Sequence, residues 1–139
     1  MTRRSLLVVL VLVVARPATA DPPTFKVIVH REHSAGSIDR ELLRNAYLKK
    51  TLAWTSGGQI IRPVDLSSVR EQFTHDVLKK TPAQLRSYWS QQIFSGKGVP
   101  PTAYDSPRAV IAYVAAHPGA VGYIPVDVDP GPTKVVLVK

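Results

Sequence analysis

Cysteine is absent from the 139 residues of this chain, and several other features that would mark a class of protein are missing too. Without thiols the chain forms no disulfide scaffold and carries out no thiolate chemistry. Beyond residue 20 the sequence holds no apolar run of membrane-spanning length, and it holds no nucleophile-elbow, P-loop or dinucleotide-binding motif. We therefore expect a domain that folds by core packing alone and does not insert into a membrane.

Residues that could perform catalysis or ligate a metal are few and scattered. The chain has four scattered histidines, and the only carboxylate at ligand spacing from the pair His30 and His33 is Glu32 between them. We interpret these histidines as loop and surface residues. Asp65 and Asp76 flank one predicted helix, where acidic residues usually cap the helix or face solvent. The sequence thus predicts no enzyme, no metal site and no cofactor.

The net charge is positive but modest. Lysine and arginine number 18 against 10 aspartates and glutamates, which gives +8. The first 20 residues hold Arg3, Arg4 and Arg16, so the remainder has 15 basic against 10 acidic residues, or +5. No basic run exceeds a pair. A dispersed excess of this size attracts anions in general and does not predict binding of nucleic acid.

The first 20 residues have the three parts of a secretory signal peptide. Arg3 and Arg4 form a basic start, residues 6–15 an apolar segment too short to cross a bilayer, and residues 18–20 a small-x-small cleavage site. We expect cleavage after Ala20, a periplasmic or secreted location, and one mature domain over residues 21–139. The arginine pair also fits a twin-arginine signal, so the general and twin-arginine routes both stay open.

Strands and helices alternate along the mature chain. Continuous apolar, β-branched runs predict strands at residues 25–30, 60–64, 120–126 and 133–138. The segments between these strands have helical periodicity. Residues that commonly cap helices stand before them: Ser37, Ser67 or Ser68, Thr81 and Ser106. This alternation is typical of one α/β domain with a mostly parallel sheet flanked by helices.

The segment after the second predicted strand, Asp65-Leu66-Ser67-Ser68-Val69-Arg70, is the best candidate for a binding site. A helix start leaves amide groups without partners and carries partial positive charge, so an anion can bind there. Ser67 and Ser68 add hydroxyl donors, and Arg70 adds a guanidinium. Ligands in open α/β sheets also gather where strands end. The alternative is plain N-capping by Asp65, Ser67 or Ser68.

Two other segments have both a structural and a functional interpretation. Gly96-Lys97-Gly98 offers flexible amides and a cation to an anion, but we favour a sharp turn. A stacking surface for sugars or bases is a second possibility, formed by the aromatic residues Trp54, Tyr88, Trp89 and Phe94. Aromatic residues at helical spacing belong to the core more often than to a binding surface, so we favour the core.

Several segments resemble phosphate-type periplasmic substrate-binding proteins. These proteins begin with a strand, a helix and a loop that contains a tryptophan. The same order is found here in residues 25–30, the helix start Ser37-Ile38-Asp39 and Trp54. Residues 94–101 and 118–124 match the short, single-lobe members of the superfamily, and Gly119-Ala120-Val121-Gly122-Tyr123-Ile124 is the most specific part. The resemblance extends over nearly the whole mature chain.

The resemblance implies the fold of a single lobe of a type 2 periplasmic binding protein. Full members have two lobes that close on a ligand. They also carry an arginine and a Ser-Gly-x-Thr turn at the second strand-to-helix junction. This chain lacks that glycine and threonine, and only Ser67 and Ser68 match.

The function that the resemblance implies is that of an exported, non-enzymatic solute-binding protein for phosphate or another small anion, serving an ABC permease. The alternative is a single-lobe interaction module of the cell envelope that has lost ligand binding. Such a module would pair with an envelope protein or with a second copy of itself.

Overall fold

The computed structural model describes residue 13 and residues 24–55 and 57–139 of the chain. Apart from Val13, the predicted signal peptide lies outside the described residues, and so does its cleavage site. In the described part, no helix has both the length and the apolar character needed to cross a membrane.

Strands and helices alternate over residues 24–55 and 57–139. The strands are β1 (Phe25–Val29), β2 (Ser37–Ile38), β3 (Arg62–Leu66), β4 (Thr102–Tyr104), β5 (Ala120–Pro125) and β6 (Lys134–Val138). The α-helices are α1 (Arg40–Tyr47), α2 (Arg70–Phe73), α3 (Pro82–Phe94) and α4 (Pro107–Ala116). A 3₁₀ turn over Ser67–Val69 leads into α2, and a π-helical turn over Thr74–Leu78 continues it.

The six strands form one sheet in the order β2-β6-β1-β5-β3-β4. β1 is antiparallel to both of its neighbours, β5 and β6. The other three pairings, β2 with β6 and β3 with β4 and β5, are parallel. Five strands therefore run in one direction and β1 alone runs in the other. This topology confirms the predicted α/β lobe with a mostly parallel sheet, and it brings the carboxyl ends of β3 and β4 side by side.

Local sequence signals set the starts of α3 and α4 as predicted. The Thr81 hydroxyl accepts a hydrogen bond from the Gln84 amide, and the Gln84 side chain accepts one from the Thr81 amide. These two bonds form a capping box before α3. The Ser106 hydroxyl accepts a hydrogen bond from the Ala109 amide at the start of α4. Both helices then begin with a proline.

The start of α1 differs from the prediction. Ser37 does not cap this helix, because it pairs with Leu137 of β6 as part of β2. Asp39 is the cap, and its Oδ1 accepts a hydrogen bond of 2.8 Å from the Glu41 amide. An aspartate two residues after a serine competes for the same role, and tertiary strand pairing decides between them.

An aromatic cluster fills the core on the face of the sheet that α1 and α2 cover. Tyr47, Phe73 and Tyr123 are almost fully buried, and the rings of Phe73 and Tyr123 stack with centroids 4.0 Å apart. Phe25 packs edge-on to Phe73 at 5.4 Å. The Tyr47 hydroxyl donates to the Val64 carbonyl oxygen over 2.8 Å, which satisfies its buried polar group. The cluster fixes α2 against the sheet.

The prediction that Phe94 faces the core is wrong. Leu85 and Trp89, one turn apart on α3, are each 6% exposed, whereas Phe94 is 94% exposed. Phe94 is the last residue of α3, one position past the next place on that stripe. The Gly96 turn follows directly, with a φ of +71° that favours glycine.

Candidate functional site

The carboxyl ends of β3 and β4 form a polar surface, which we call the open end. It consists of Ser67 and Ser68, which follow β3, and of Asp105 and Ser106, which follow β4. All four residues are exposed. The parallel pairing of Leu66 with Tyr104 places the two segments next to each other. The site predicted from the sequence thus lies on an accessible face of the domain.

The helical segment after β3 begins without a side-chain cap. Its first residue is preceded by Leu66, and within the described residues no side chain caps the first turn. The alternative prediction, N-capping by Asp65, Ser67 or Ser68, is therefore wrong. Ser67 Oγ lies instead at 3.5 Å from Asp105 Oδ1, at the limit of a hydrogen bond.

Asp65 belongs to β3 and turns inward, away from the open end. It is 4% exposed, and its Oδ1 accepts a hydrogen bond of 2.7 Å from the Tyr123 hydroxyl. Its Oδ2 lies 3.5 Å from Nε of Arg70. Asp65 therefore connects the core to the arginine of the candidate site.

Burial and hydrogen bonding shift the pKa values of this network. Burial raises the pKa of Asp65, and the Tyr123 hydrogen bond and the Arg70 charge offset part of that rise. The pKa of Tyr123 is raised far above its ordinary value, first by burial and then by the adjacent carboxylate. The tyrosine is thus a permanent donor to Asp65 at ordinary pH.

Arg70 is anchored at one nitrogen and free at the others. Its Nε faces Asp65, and its side chain is 39% exposed. Among the described residues, no acceptor lies within hydrogen-bond distance of its two terminal nitrogens. A guanidinium held in this way has its remaining donors available to an anion, and it loses little side-chain entropy on binding.

Arg70 and Ser67 line one wall of a groove of about 520 Å³. This wall comes from the helical segment after β3, and it also includes Glu71 and Thr74. Ser68 is exposed beside the groove and is not part of its lining in the described structure. The structure therefore brings two of the three predicted site residues, Ser67 and Arg70, into one cavity.

The opposite wall of the groove comes from α3. It consists of Pro82, Leu85, Arg86, Trp89, Ser90 and Ile93, with Pro100 closing the groove before β4. Sequence reasoning assigned Leu85 and Trp89 of this wall to the core and did not consider Arg86 or Ile93. Helical spacing shows which residues share a face, but it does not show whether a second helix leaves that face partly open.

Neither a metal centre nor a bound anion at the glycine-rich loop finds support in the geometry. The described residues contain no cluster of three or more histidine or acidic side chains that could hold a metal ion. Lys97 lies outside the groove lining, and its amide donates to the Gln92 carbonyl oxygen over 2.9 Å. This agrees with our interpretation of Gly96-Lys97-Gly98 as a turn.

Comparison with solved structures shows which proteins share this fold. The chain is similar to a protein from Clostridium perfringens described as a phosphate ABC transporter substrate-binding protein and solved with bound phosphate. The TM-score is 0.62 at 20% identity, over 83% of this chain and 44% of that one. The chain has the fold of a periplasmic-binding-protein lobe. No protein-family model matches the sequence, and no curated protein matches it either.

Two further structures give the same result. An ABC-type phosphate transport receptor from Vibrio cholerae matches with a TM-score of 0.55 at 18% identity, over 83% of this chain and 46% of that one. PstS from Borrelia burgdorferi matches with a TM-score of 0.56 at 16% identity, over 84% of this chain and 47% of that one. The chain therefore spans less than half the length of these proteins, and the predicted single-lobe fold is confirmed.

Proposed function

We propose that this protein is an exported, non-enzymatic solute-binding lobe that binds a small phosphate-like anion at Ser67 and Arg70. The observation that carries the proposal is the state of Arg70, which lines the groove and is anchored through Nε to buried Asp65, while its terminal nitrogens make no hydrogen bond within the described residues. Ser67 supplies a hydroxyl next to it, and the fold is shared with proteins that transport phosphate.

Asp105 bears on which anion this site prefers. Its carboxylate lies 3.5 Å from Ser67 Oγ and is exposed, so it can accept a hydrogen bond from a ligand at the open end. An ionised carboxylate only accepts hydrogen bonds and repels an anion that carries no proton. Hydrogen phosphate has a proton to donate at neutral pH and sulfate has none. The site therefore favours phosphate over sulfate.

The proposed cellular role follows from the fold and from the predicted signal peptide. Substrate-binding proteins of ABC transporters are the structures that this lobe resembles, so we place the protein outside the cytoplasm as the soluble part of an uptake system. An ABC permease is then the natural partner, and no nucleic acid is involved.

Calorimetric titration of residues 21–139 with phosphate and with sulfate tests the proposal. We expect phosphate to bind and Arg70→Gln to weaken binding by about ten- to a hundredfold, because a hydrogen bond to a charged group contributes about 1.5–3 kcal/mol. Arg31→Gln is the matched control, since Arg31 is exposed beyond the far end of β1. Absence of heat with both anions, or equal loss in the two variants, would refute the anion site.

A second candidate function is a single-lobe interaction module that pairs with an envelope protein or with another copy. The chain spans less than half the length of its structural neighbours, and α3 ends in exposed Ile93 and Phe94, 54% and 94% exposed. These two neighbours form a small contiguous apolar patch, and contiguous exposed apolar patches mark interaction sites. Light scattering after size exclusion tests the homodimer: a dimer that Phe94→Ser converts to monomer supports this function, and a monomer at all concentrations contradicts it.

A further inference from the structure

The lining of the groove includes an apolar stripe as well as Arg70 and Ser67. Leu85, Trp89 and Ile93 follow one another at four-residue spacing and form one stripe of α3 along the groove. The first two are 6% exposed and Ile93 is 54% exposed. Pro100 adds to the apolar lining. The groove thus combines the polar groups of Ser67 and Arg70 with an apolar stripe on α3.

The size of the groove exceeds what a free inorganic anion can fill. Its volume of about 520 Å³ lies within the range of roughly 300–1,000 Å³ that is usual for small-molecule sites. Such sites are mostly apolar and orient their ligand with a few polar groups. A tetrahedral oxyanion at Ser67 and Arg70 is too small to cover the apolar stripe of α3 as well.

We infer that the groove binds phosphate monoesters that carry an aromatic or aliphatic body. The phosphate group contacts Arg70 and Ser67, and the body lies along Leu85, Trp89 and Ile93. This inference rests on the proposed anion site and names its ligand class. A monoester carries a charge of about −1.5 to −2 at neutral pH, which suits a site with more than one arginine.

Arg86 and Glu71 adjust the charge along the groove. Both line it, both are exposed, and neither has an ion-pair partner within the described residues. Arg86 is on α3 and Arg70 on the helical segment after β3, so the two walls of the groove each contribute a cation. Glu71 opposes an anion, and Glu71→Gln should therefore strengthen monoester binding two- to fivefold, at the scale of an exposed charge pair.

Titration with three probes tests the inference: inorganic phosphate, phenyl phosphate and phenol. We expect phenyl phosphate to bind about tenfold tighter than inorganic phosphate. A tenfold gain corresponds to about 1.4 kcal/mol, or roughly 55 Å² of apolar surface removed from water at about 25 cal/mol per Å². Phenol should bind weakly, because it lacks the phosphate that Arg70 holds.

Two variants locate the bound phenyl ring. Ile93→Ser should remove most of the tenfold gain and leave the affinity for inorganic phosphate unchanged, whereas Leu137→Ser, an exposed leucine of β6, should change neither. Phenyl phosphate should also change the tryptophan fluorescence, and Trp89→Phe should abolish that change. Trp54 lies outside the groove lining, so it serves as an internal reference.

The outcomes separate this inference from the proposed function. If phosphate and phenyl phosphate bind equally, the monoester inference fails and the anion site stands. Phenol binding as tightly as phenyl phosphate would also overturn the inference, because the groove would then be a non-specific apolar surface. If neither phosphate nor phenyl phosphate binds, the proposed function fails and the inference fails with it.

Discussion

The two ends of the sheet serve different purposes. At the open end, Ser67 and Asp105 are exposed, and the helical segment after β3 starts without a cap. At the other end, where β3 and β5 begin, Trp54 Nε1 donates to the Gly119 carbonyl oxygen over 2.9 Å, and Trp54 is 4% exposed. At this closed end a buried side chain satisfies a backbone carbonyl, whereas at the open end no side chain within the described residues caps the helical segment. We therefore expect stability to depend more on the closed end, and the anion binding that we propose to depend on the open end.

The largest effect should come from the closed end, at Gly119. Its φ is +86°, and a Cβ atom there would lie 2.2 Å from the Ile60 carbonyl oxygen. Gly119→Ala must therefore move backbone, and we expect it to lower the free energy of unfolding by about 2–4 kcal/mol. Denaturant unfolding measures this loss, and Gly36→Ala, which meets no atom within 4 Å, is the control. Equal stability of the two variants would contradict the close approach of the Ile60 carbonyl oxygen to residue 119.

An intermediate effect is expected where the core meets the open end, at Tyr123. Tyr123→Phe removes the hydroxyl that donates to Asp65 over 2.7 Å and leaves the buried carboxylate short of a donor. We expect a loss of about 1–3 kcal/mol in unfolding free energy. Tyr104→Phe is the matched control, because within the described residues the Tyr104 hydroxyl makes no hydrogen bond. If Tyr104→Phe lost as much stability as Tyr123→Phe, the loss would come from removing a tyrosine hydroxyl in general and not from the hydrogen bond to Asp65.

The smallest effect is a pH dependence that originates at Asp65. Burial raises the pKa of this carboxyl in the folded state, so the folded protein holds a proton at pH values where the unfolded chain has lost it. The contribution of Asp65 to stability is therefore complete below the unfolded pKa and is lost as pH rises through the folded pKa. Asp65→Asn removes this dependence and keeps an acceptor for Tyr123.

Urea unfolding at pH 4 and pH 7 measures the difference. We compare the unfolding free energy of Asp65→Asn with that of the natural protein at each pH. This difference should favour the variant more at pH 7 than at pH 4. The opposite trend would mean that the ion pair with Arg70 outweighs the cost of burying the charge.

Sequence reasoning succeeded where local chemistry decides the structure. The starts of α3 and α4 depend only on residues within the first turn: Thr81 and Ser106 are the caps, and each is followed by a proline. It failed where tertiary contacts decide. Ser37 became part of a strand because β6 was available to pair with it. A two-residue strand of this kind has no periodicity to detect.

The candidate site was predictable in part for the same reason. The order Ser67, Ser68 and Arg70 after a strand is a local pattern, and the structure places these residues directly after β3. The inward turn of Asp65 was not predictable, because Val64, Asp65 and Leu66 are all buried and the strand shows no alternation. The α3 wall of the groove was also missed, since only the packing of two helices shows that Trp89 borders an opening.

The position of β1 has a consequence for the order of assembly. The first strand of the described chain is inserted between β5 and β6, the last two, with Ile28 opposite Gly122 on one side and Val135 on the other. Contacts that join residues so distant in the sequence form slowly, because a long loop must close first. A nascent polypeptide that has not yet reached residue 120 lacks both strands that pair with β1 in the described structure, so the middle of the sheet cannot form before β5 has been synthesised.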